Sequence, residues 1–389
     1  MLTRSKQVRG LALLRFAREV QRLEDRFYTA VLDGAFDVPF KKLRPDLVLC
    51  DVLLPEPPLA AHGHQVPCLL LNTTLPLRQE RGQPPLTSPL VPDGGVVSRV
   101  KTRLAWLRAT YRQRLGLWFR TRTVRHLLRL ARHYGFPRER LDFDGIALKP
   151  WGPELVLCPR EFAELGAPMQ APRGEYLFAG PSVDLERQEP EFPWERLREG
   201  RPLVVAYLGT MPYQTQLDAK LFRAVSDAAA LRPDWQFVLG VGRKLDPADF
   251  DGATPNVIAV RRAPVIALLR RAAAMITHGG FNSVKECISL EVPMVVVPIQ
   301  YDQPGISARV VHHGLGVRKA PERLTPRSLL WLLDEVIQAP RYRQNLRSFR
   351  ARFEAAEQQR PAADVIEGFL NRTPRPRTAR PALALSDHP

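Results

Sequence analysis

Residues 277–303, THGGFNSVKECISLEVPMVVVPIQYDQ, decide the fold of this chain. They follow an apolar run, 272–276, that is typical of a buried strand. The glycine pair ending at Gly280 then lets the backbone turn tightly without interference from a Cβ atom. Asn282 and Ser283 stand where a helix would begin, so the stretch predicts a strand, a tight turn and a helix.

A second apolar run, 293–298, predicts the next strand, and an acid–amide pair, Asp302 and Gln303, comes just past its end. A helix N-terminus offers free N–H groups and the positive end of a dipole, which together bind an anion such as a phosphate. Ligands of open α/β sheets bind beyond the carboxyl ends of the strands, and carboxylate and amide groups suit sugar hydroxyls. The stretch therefore indicates a nucleotide-sugar site.

The stretch resembles the donor-binding signature of family 1 glycosyltransferases, UDP-sugar-dependent enzymes built from two facing Rossmann-like domains (the GT-B type). The resemblance implies that a first group of residues holds the diphosphate: His278, Gly280, Asn282 and Ser283. It implies that Glu286 bonds the ribose hydroxyls and that Asp302 and Gln303 hold the donor sugar. Taken singly, each of these residues also fits an ordinary structural role, such as a helix cap.

The pattern of elements predicts an α/β fold with two Rossmann-like domains, the first of them incomplete. A polar segment rich in Pro and Glu separates the two, as expected of a linker. Four segments are predicted, namely an acceptor-side domain, a linker, a donor-binding domain and a disordered tail: 1–180, 181–200, 201–371 and 372–389. The donor domain opens on the strand 202–208, and the resemblance implies that Thr210 contacts the donor phosphates, although a simple turn also explains this residue.

The start of the chain does not match the strand and Gly-His loop with which family members begin. In the family, the acid at the position of Asp51 orients the catalytic histidine, which removes a proton from the acceptor hydroxyl. Asp51 is present, whereas His62 and His64 are expected near the end of the next helix, away from that strand edge. The resemblance therefore leaves open a truncated chain or a binding protein without a catalytic base.

Two positions of the donor domain depart from the family pattern. Arg262 stands where many members carry an aromatic residue that stacks on uracil, and a guanidinium can also stack on a base. Glu291 replaces the usual glycine before Val292 and so forgoes the easy left-handed helix cap. Uridine is still the expected base.

The composition is that of an ordinary globular protein, with 45% hydrophobic and 25% charged residues among 389. The four cysteines are far apart and indicate neither a disulfide framework nor a zinc site, so a cytoplasmic location is predicted. The net charge of +17 is concentrated in 98–133, where apolar residues recur every three or four positions among many arginines. Two hypotheses stay open for this segment: a solvated basic face on a helix packed against its own domain, which we favour, or peripheral contact with an anionic membrane. No nucleic-acid partner is predicted, because no matching motif accompanies the charge.

These observations predict an inverting transferase that moves a hexose from a UDP-sugar to a hydroxyl of a small or lipophilic acceptor. No cofactor beyond the donor is expected, and no metal, because no acidic Asp-x-Asp cluster is expected to hold one. The helix dipole, His278 and backbone amides would stabilise the leaving diphosphate instead. A nucleotide-sugar epimerase is the alternative enzyme, since it shares this architecture.

Overall fold

The computed structural model describes residues 11–119, 121–142, 149–150, 152–166, 168–169, 175–209, 215–252 and 254–372. These residues form strands and helices that alternate along most of the chain. The strands are β1 (Val48–Asp51), β2 (Cys68–Asn72), β3 (Leu141–Asp142), β4 (Lys149–Pro150), β5 (Glu154–Val156), β6 (Tyr176–Phe178), β7 (Leu203–Tyr207), β8 (Gln236–Gly240), β9 (Val257–Val260), β10 (Ala272–Thr277), β11 (Met294–Val296) and β12 (Gly316–Arg318).

The helices account for most of the remaining described chain. They are α1 (Leu11–Ala30), α2 (Asp37–Leu43), α3 (Glu56–Gly63), α4 (Val96–Phe119), α5 (Thr121–His133), α6 (Arg160–Ala163), α7 (Thr215–Ala230), α8 (Val265–Leu269), α9 (Phe281–Ser289), α10 (Gln303–His312), α11 (Pro326–Gln338), α12 (Pro340–Gln359) and α13 (Ala362–Arg372). A π-helical turn, Val31–Ala35, joins α1 to α2, with a kink at Gly34 (φ +95°).

The first sheet contains four parallel strands in the order β1-β2-β5-β6. On one side lies an apolar cluster in which Leu59 and Ala60 of α3 meet Leu127 and Leu130 of α5. Leu155 and its neighbours form a second cluster with apolar residues of α13. The last described helix thus packs on the first sheet, although it follows the second sheet along the chain. The predicted domain boundaries stay a prediction.

The second sheet contains six parallel strands in the order β12-β11-β10-β7-β8-β9. Its central strands are buried on both faces, which explains why they appear in the sequence as continuous apolar runs rather than alternating ones. The strand order reverses between β7 and β10, and the crevice beyond their carboxyl ends is the expected place for a ligand. Two parallel sheets with flanking helices confirm the predicted α/β fold with two Rossmann-like halves.

The two sheets share a continuous apolar core. Phe162 of α6, which lies between β5 and β6 of the first sheet, is fully buried and stacks on Phe281 of α9, with ring centroids 5.3 Å apart. Arg309 of α10 is also buried in this interface, where its Nε donates to Ala163 O at 2.7 Å and its Nη1 donates to Gly305 O at 3.0 Å. Burial lowers the pKa of Arg309 to about 10. A charged group this deeply enclosed is tolerated because its guanidinium is hydrogen-bonded.

The basic segment forms two helices, α4 and α5, rather than one. The recurring apolar residues of α4 face solvent together with its basic residues, whereas Ser98, Thr102, Trp106 and Ala109 are buried against the protein. The choice between the two hypotheses for this segment stays a prediction. Over the part of the chain that the structure describes, no helix combines the length and the apolar character needed to cross a membrane.

Candidate functional site

The turn after β10 requires glycine. Gly279 has a φ of +85°, and a Cβ atom built there would lie 2.7 Å from Val296 Cγ1. The Gly279 N–H donates to Thr277 Oγ1 at 3.3 Å, which closes the turn. A residue with a side chain would be strained by both its backbone and its neighbour, so the turn brings the backbone unusually close to β11.

His278 lies in a slot between two glycines at the point where the strand order reverses. A Cβ atom at Gly209 would approach the imidazole to 2.8 Å, and one at Gly280 would approach it to 2.6 Å. The ring is buried, and this burial lowers the pKa of His278 to about 4. The imidazole is therefore neutral at physiological pH, with one N–H donor and one acceptor nitrogen.

The helix α9 begins directly after this slot. Gly280 occupies its N-cap and, having no side chain, supplies no capping hydrogen bond. The first amides of a helix have no partner within the helix, so the start of α9 can bind an anion. Asn282 is exposed and Ser283 is buried in this first turn. Their predicted role in holding a diphosphate stays a prediction.

Glu286 lies one turn further along α9 and is buried. Arg187, from the segment between the two sheets, donates from Nη1 to Glu286 Oε1 at 2.5 Å and also lies 3.5 Å from Glu189. Burial raises the pKa of Glu286, and the guanidinium of Arg187 acts in the opposite direction. Sequence reasoning missed Arg187, because nothing in a polar linker marks one arginine as the partner of a buried acid.

The segment that carries Arg187 is tied to the second sheet at several points. Glu189 accepts the N–H groups of Ile266 and Ala267, each at 2.8 Å, at the start of α8. Arg270 donates to Glu186 at 2.7 Å. The predicted linker is therefore a fixed wall of the candidate site along residues 186–189.

Tyr207 ends β7 beside these residues and was also missed from the sequence. Burial and the charge of Glu286 raise the pKa of Tyr207, whereas Arg187 and Arg262 lower it. Arg262 itself is exposed and follows β9. The stacking of Arg262 on a base stays a prediction.

The acid–amide pair begins α10 and faces the first sheet. Asp302 is mostly buried and accepts a hydrogen bond from Thr74 Oγ1 at 2.6 Å. Burial raises the pKa of Asp302, and the Thr74 hydroxyl lowers it. Gln303 is buried, and its Oε1 accepts the N–H groups of Ile299 and Gln300 at 2.8 and 3.0 Å. In this structure Gln303 shapes the loop before α10; its contact with a sugar stays a prediction.

Two predicted site residues lie apart from this group. Thr210 falls outside the described residues. Asp51 ends β1 of the first sheet, and its Oδ1 accepts the Leu53 N–H at 2.8 Å. The two histidines that follow it bond elsewhere: His62 Nε2 lies 3.2 Å from Gly135 O, and His64 Nε2 lies 2.7 Å from Asp37 Oδ1.

The expectation that no acidic Asp-x-Asp cluster is present was wrong, because two Asp-Phe-Asp triplets occur, at 142–144 and 249–251. Paired acids of this kind can bind a divalent cation through their oxygens. In the second triplet, Asp251 accepts hydrogen bonds from Arg196 and from the Ala259 N–H, both at 2.9 Å. The first triplet lies partly outside the described residues. The expectation of a metal-independent reaction stays a prediction.

The fold and the polar groups at the switch point define a GT-B protein. Residues 198–353 match the family described as UDP-glucoronosyl and UDP-glucosyl transferase. The chain is 31% identical to NDP-glycosyltransferase YjiC of Bacillus licheniformis over 56% of this chain and 53% of that protein. It is 25% identical to zeaxanthin glucosyltransferase of Pantoea ananas over 93% of this chain and 79% of that protein. The glycotransferase of kitacinnamycin has a similar structure, with a TM-score of 0.67 and 23% identity over 90% of this chain and 82% of that one.

These comparisons confirm the resemblance to family 1 glycosyltransferases, and the matched region, residues 198–353, is a domain of that family. The chain spans about half the length of the YjiC proteins of Bacillus licheniformis and Bacillus subtilis that it matches, at 53% and 49%.

Proposed function

We propose that this protein transfers a hexose from a UDP-sugar to a hydroxyl of a small or lipophilic acceptor, with inversion at the anomeric carbon and without a metal ion. The observation that carries the proposal is the arrangement at the switch point. A neutral imidazole in a glycine slot, an uncapped helix start and a buried carboxylate follow one another within residues 278–286. The first two suit a diphosphate, and the third suits ribose hydroxyls.

The first sheet supplies the other wall of the proposed site. Thr74 follows β2 and reaches Asp302, so the carboxyl edges of the two sheets face each other across the acid that would hold the sugar. An acceptor hydroxyl would approach from this side. Relatives named for zeaxanthin and for demethyllactenocin support a lipophilic acceptor.

Binding of UDP tests the proposal directly. Isothermal titration of the full chain with UDP should give saturable heat, and Glu286→Ala should weaken binding about tenfold, because a carboxylate bond to a hydroxyl is lost. Glu199→Ala, an exposed acid that precedes β7 at the opposite edge of the sheet, is the matched control and should bind as the unmodified protein does. No heat at millimolar UDP would reject the donor site.

The identity of the base is part of the same test. Solved neighbours carry thymidine diphosphate in two cases, VinC and the rhamnosyltransferase SpnG. Thymidine diphosphate lacks the 2′-hydroxyl that Glu286 would bind in UDP. If the unmodified protein prefers UDP to thymidine diphosphate and Glu286→Ala does not, the result would support the role of Glu286 in binding the ribose. If both the unmodified protein and Glu286→Ala bind thymidine diphosphate more tightly than UDP, uridine would be rejected as the base.

A nucleotide-sugar-binding protein without transferase activity is the second candidate. It is favoured by the contacts of Asp51, His62 and His64, since each bonds to a group other than the partner that a catalytic pair would need. Incubation of UDP-glucose with a panel of flavonoid and carotenoid alcohols separates the two functions. Donor binding without glycoside or free sugar would support the binding protein, glycoside formation would support the transferase, and an epimerised donor would support the epimerase.

We further propose peripheral contact with an anionic membrane, for which the exposed face of α4 is the basis.

A further inference from the structure

The helix α4 exposes a continuous apolar stripe. Seven of its residues recur every three or four positions and are each at least 41% exposed: Val97, Val100, Leu104, Leu107, Tyr111, Leu115 and Trp118. Residues with this spacing lie on one face of a helix. We call this set the α4 stripe. A contiguous apolar face of this length on a protein surface indicates an interaction site.

The opposite face of α4 fixes the helix to the protein. Trp106 is buried and donates its indole N–H to Gln83 O at 2.7 Å. Ser98 is also buried, and its hydroxyl accepts the Asp93 N–H at 3.2 Å. Thr102 and Ala109 are the other buried residues of this face. Because these contacts set the rotation of the helix, the α4 stripe cannot turn inward while they hold.

Basic residues border the stripe on both sides. At about 100° per residue, Lys101, Arg108 and Arg112 fall along one border and Arg99, Arg103 and Arg114 along the other; all six are exposed. The sequence from 94 to 133 contains eleven Lys and Arg residues and no Asp or Glu. The stripe is therefore an apolar strip within a cationic surface.

The next helix continues the cationic surface. Arg125, Arg129 and Arg132 of α5 line a groove of about 530 Å³ together with Arg122 and Asp25. Asp25 pairs with Arg122 and lies 2.9 Å from His126, so one acid of α1 offsets part of this charge. The remaining arginines leave the groove suited to anionic groups.

We propose that the α4 stripe docks on the surface of a bilayer that contains anionic phospholipid, with α4 lying parallel to the membrane plane. Apolar side chains of such a helix enter the boundary between headgroups and acyl chains, and flanking arginines bind lipid phosphates. Tyr111 and Trp118 suit this boundary, because their rings combine an apolar body with a polar atom.

Charge complementarity selects this partner over the others. A second copy would bring two strongly cationic surfaces together, and this like-charge contact opposes association. A nucleic acid would satisfy the arginines and leave the apolar residues in water. An anionic bilayer satisfies both components.

The position of α4 also connects the docking surface with the proposed site. The loop before α4 contains Thr74, which bonds Asp302, and Leu86, whose carbonyl accepts the Gly305 N–H at 2.7 Å. Docking would therefore hold the sugar-binding end of α10 near the bilayer, where a lipophilic acceptor is concentrated. This consequence rests on the proposed function, but docking itself does not.

Co-sedimentation of the full chain with vesicles tests the proposal without any nucleotide. We expect binding to vesicles of phosphatidylcholine with about 30% phosphatidylglycerol, little binding to phosphatidylcholine alone, and release at about 1 M salt, where charge attraction is screened. Because the vesicle experiment contains no UDP, a failure to bind vesicles would not contradict the proposed donor site. A failure to bind UDP would likewise not contradict membrane docking.

Paired variants locate the surface. Leu107→Gln with Tyr111→Gln should lower the partition coefficient about tenfold, since both side chains are exposed and would enter the bilayer. Arg108→Gln with Arg112→Gln should lower it to a similar extent and reduce its salt dependence. Trp331→Gln, a large exposed side chain of α11, and Arg323→Gln with Arg327→Gln are the matched controls and should bind unchanged. Equal thermal melting of all variants shows that they fold.

Other results would overturn the proposal. Absence of vesicle binding, or binding that is equal on neutral vesicles and insensitive to salt, rejects an anionic bilayer as the partner. A dimer in solution that Leu107→Gln with Tyr111→Gln dissociates would assign the stripe to a second copy. If DNA retains the protein at about 150 mM salt, and this retention requires Arg108 and Arg112 but not Leu107 and Tyr111, the surface would be assigned to nucleic acid.

Discussion

The hydroxyl of Thr74 donates a hydrogen bond of 2.6 Å to the carboxylate of Asp302, and this bond connects the two sheets of the protein. Thr74 follows a strand of the first sheet, and Asp302 precedes a helix of the second. The acid that the sequence assigns to the donor sugar is therefore already enclosed from the opposite side. Burial raises the pKa of Asp302, so the folded protein disfavours the ionised form of this acid.

Asp302→Asn should stabilise the protein and impair its site. With the folded pKa raised, the ionised acid opposes folding at neutral pH, and this penalty disappears as the pH falls and the acid protonates. The variant should therefore melt at a higher temperature than the unmodified protein near neutral pH, and the difference should shrink on acidification. UDP-glucose affinity should fall about tenfold with UDP affinity nearly unchanged. Equal losses for both ligands would contradict a sugar-holding role.

His278 should make stability depend on pH. Its folded pKa of about 4 lies below the ordinary 6.5, so the unfolded chain binds a proton that the native protein excludes. The free energy of unfolding should therefore decrease as the pH falls from 6.5 toward 4, by up to about 3 kcal/mol from this residue. Denaturant unfolding across this range should show a smaller decrease for His278→Gln. His313, whose pKa is also lowered to about 4 by burial, is present in both proteins and cancels in the comparison. Identical slopes would contradict the neutral imidazole.

The glycine turn should tolerate no side chain. Gly279→Ala meets both a left-handed backbone and Val296, so it should cost about 2–4 kcal/mol of unfolding free energy and abolish UDP binding. Gly280→Ala is the informative comparison, because Gly280 has an ordinary φ of −61° and the atoms nearest to the added methyl belong to the ring of His278. Its cost should therefore be relieved in the double variant with His278→Ala. Strictly additive effects would place the strain elsewhere.

Glu291 should release strain when it is replaced by glycine. This glutamate adopts φ of +57°, the left-handed backbone that its residue type disfavours, and its carboxylate pairs with Arg347 and Arg350 at 3.1 Å each. Glu291→Gly should be more stable than Glu291→Ala by about 1 kcal/mol, because both lose the ion pairs and only glycine relieves the backbone. Denaturant titration measures the difference. A less stable glycine variant would show that the cap at 291 is not strained.

Arg187 should tune recognition of the ribose. Its pairing with Glu286 favours an ionised and fixed carboxylate, so Arg187→Gln should weaken UDP binding about tenfold and weaken 2′-deoxy-UDP binding less. Arg270→Gln is the matched control, since it breaks the pair with Glu186 on the same segment without touching Glu286. Tighter UDP binding in Arg187→Gln would show that the guanidinium instead competes with the nucleotide.

Much of this structure could be predicted from local patterns. The buried runs at 203–207 and 272–277 are strands because their apolar side chains fill both faces of a parallel sheet, and the turn at 279 needs glycine wherever it occurs. Glu286 lies in the predicted place because helical spacing fixes it one turn after Asn282. Such features depend only on neighbours along the chain.

The features that were missed depend on contacts between distant residues. The spacing of the α4 stripe is that of residues facing a core. The opposite face of α4 is the buried one, because Trp106 lies on that face and donates a hydrogen bond to Gln83 O. Arg187 pairs with an acid 99 positions away, and Arg309 bonds a carbonyl 146 positions away. Local sequence patterns do not show which residues far apart in the sequence will pair, so these contacts become visible only in the folded protein.

The return of helix α13 to the first sheet has a consequence for anyone who wishes to exchange parts of this protein. Val365, Ile366 and Phe369 pack against Leu69 and Leu155, so the last helix that the structure describes covers the first sheet. A chimera with a single junction between the two sheets would place this helix against a sheet from another protein. It would also leave the first sheet of this protein without the helix that covers it. Grafting the nucleotide-binding half therefore demands two junctions, the second ahead of Ala362.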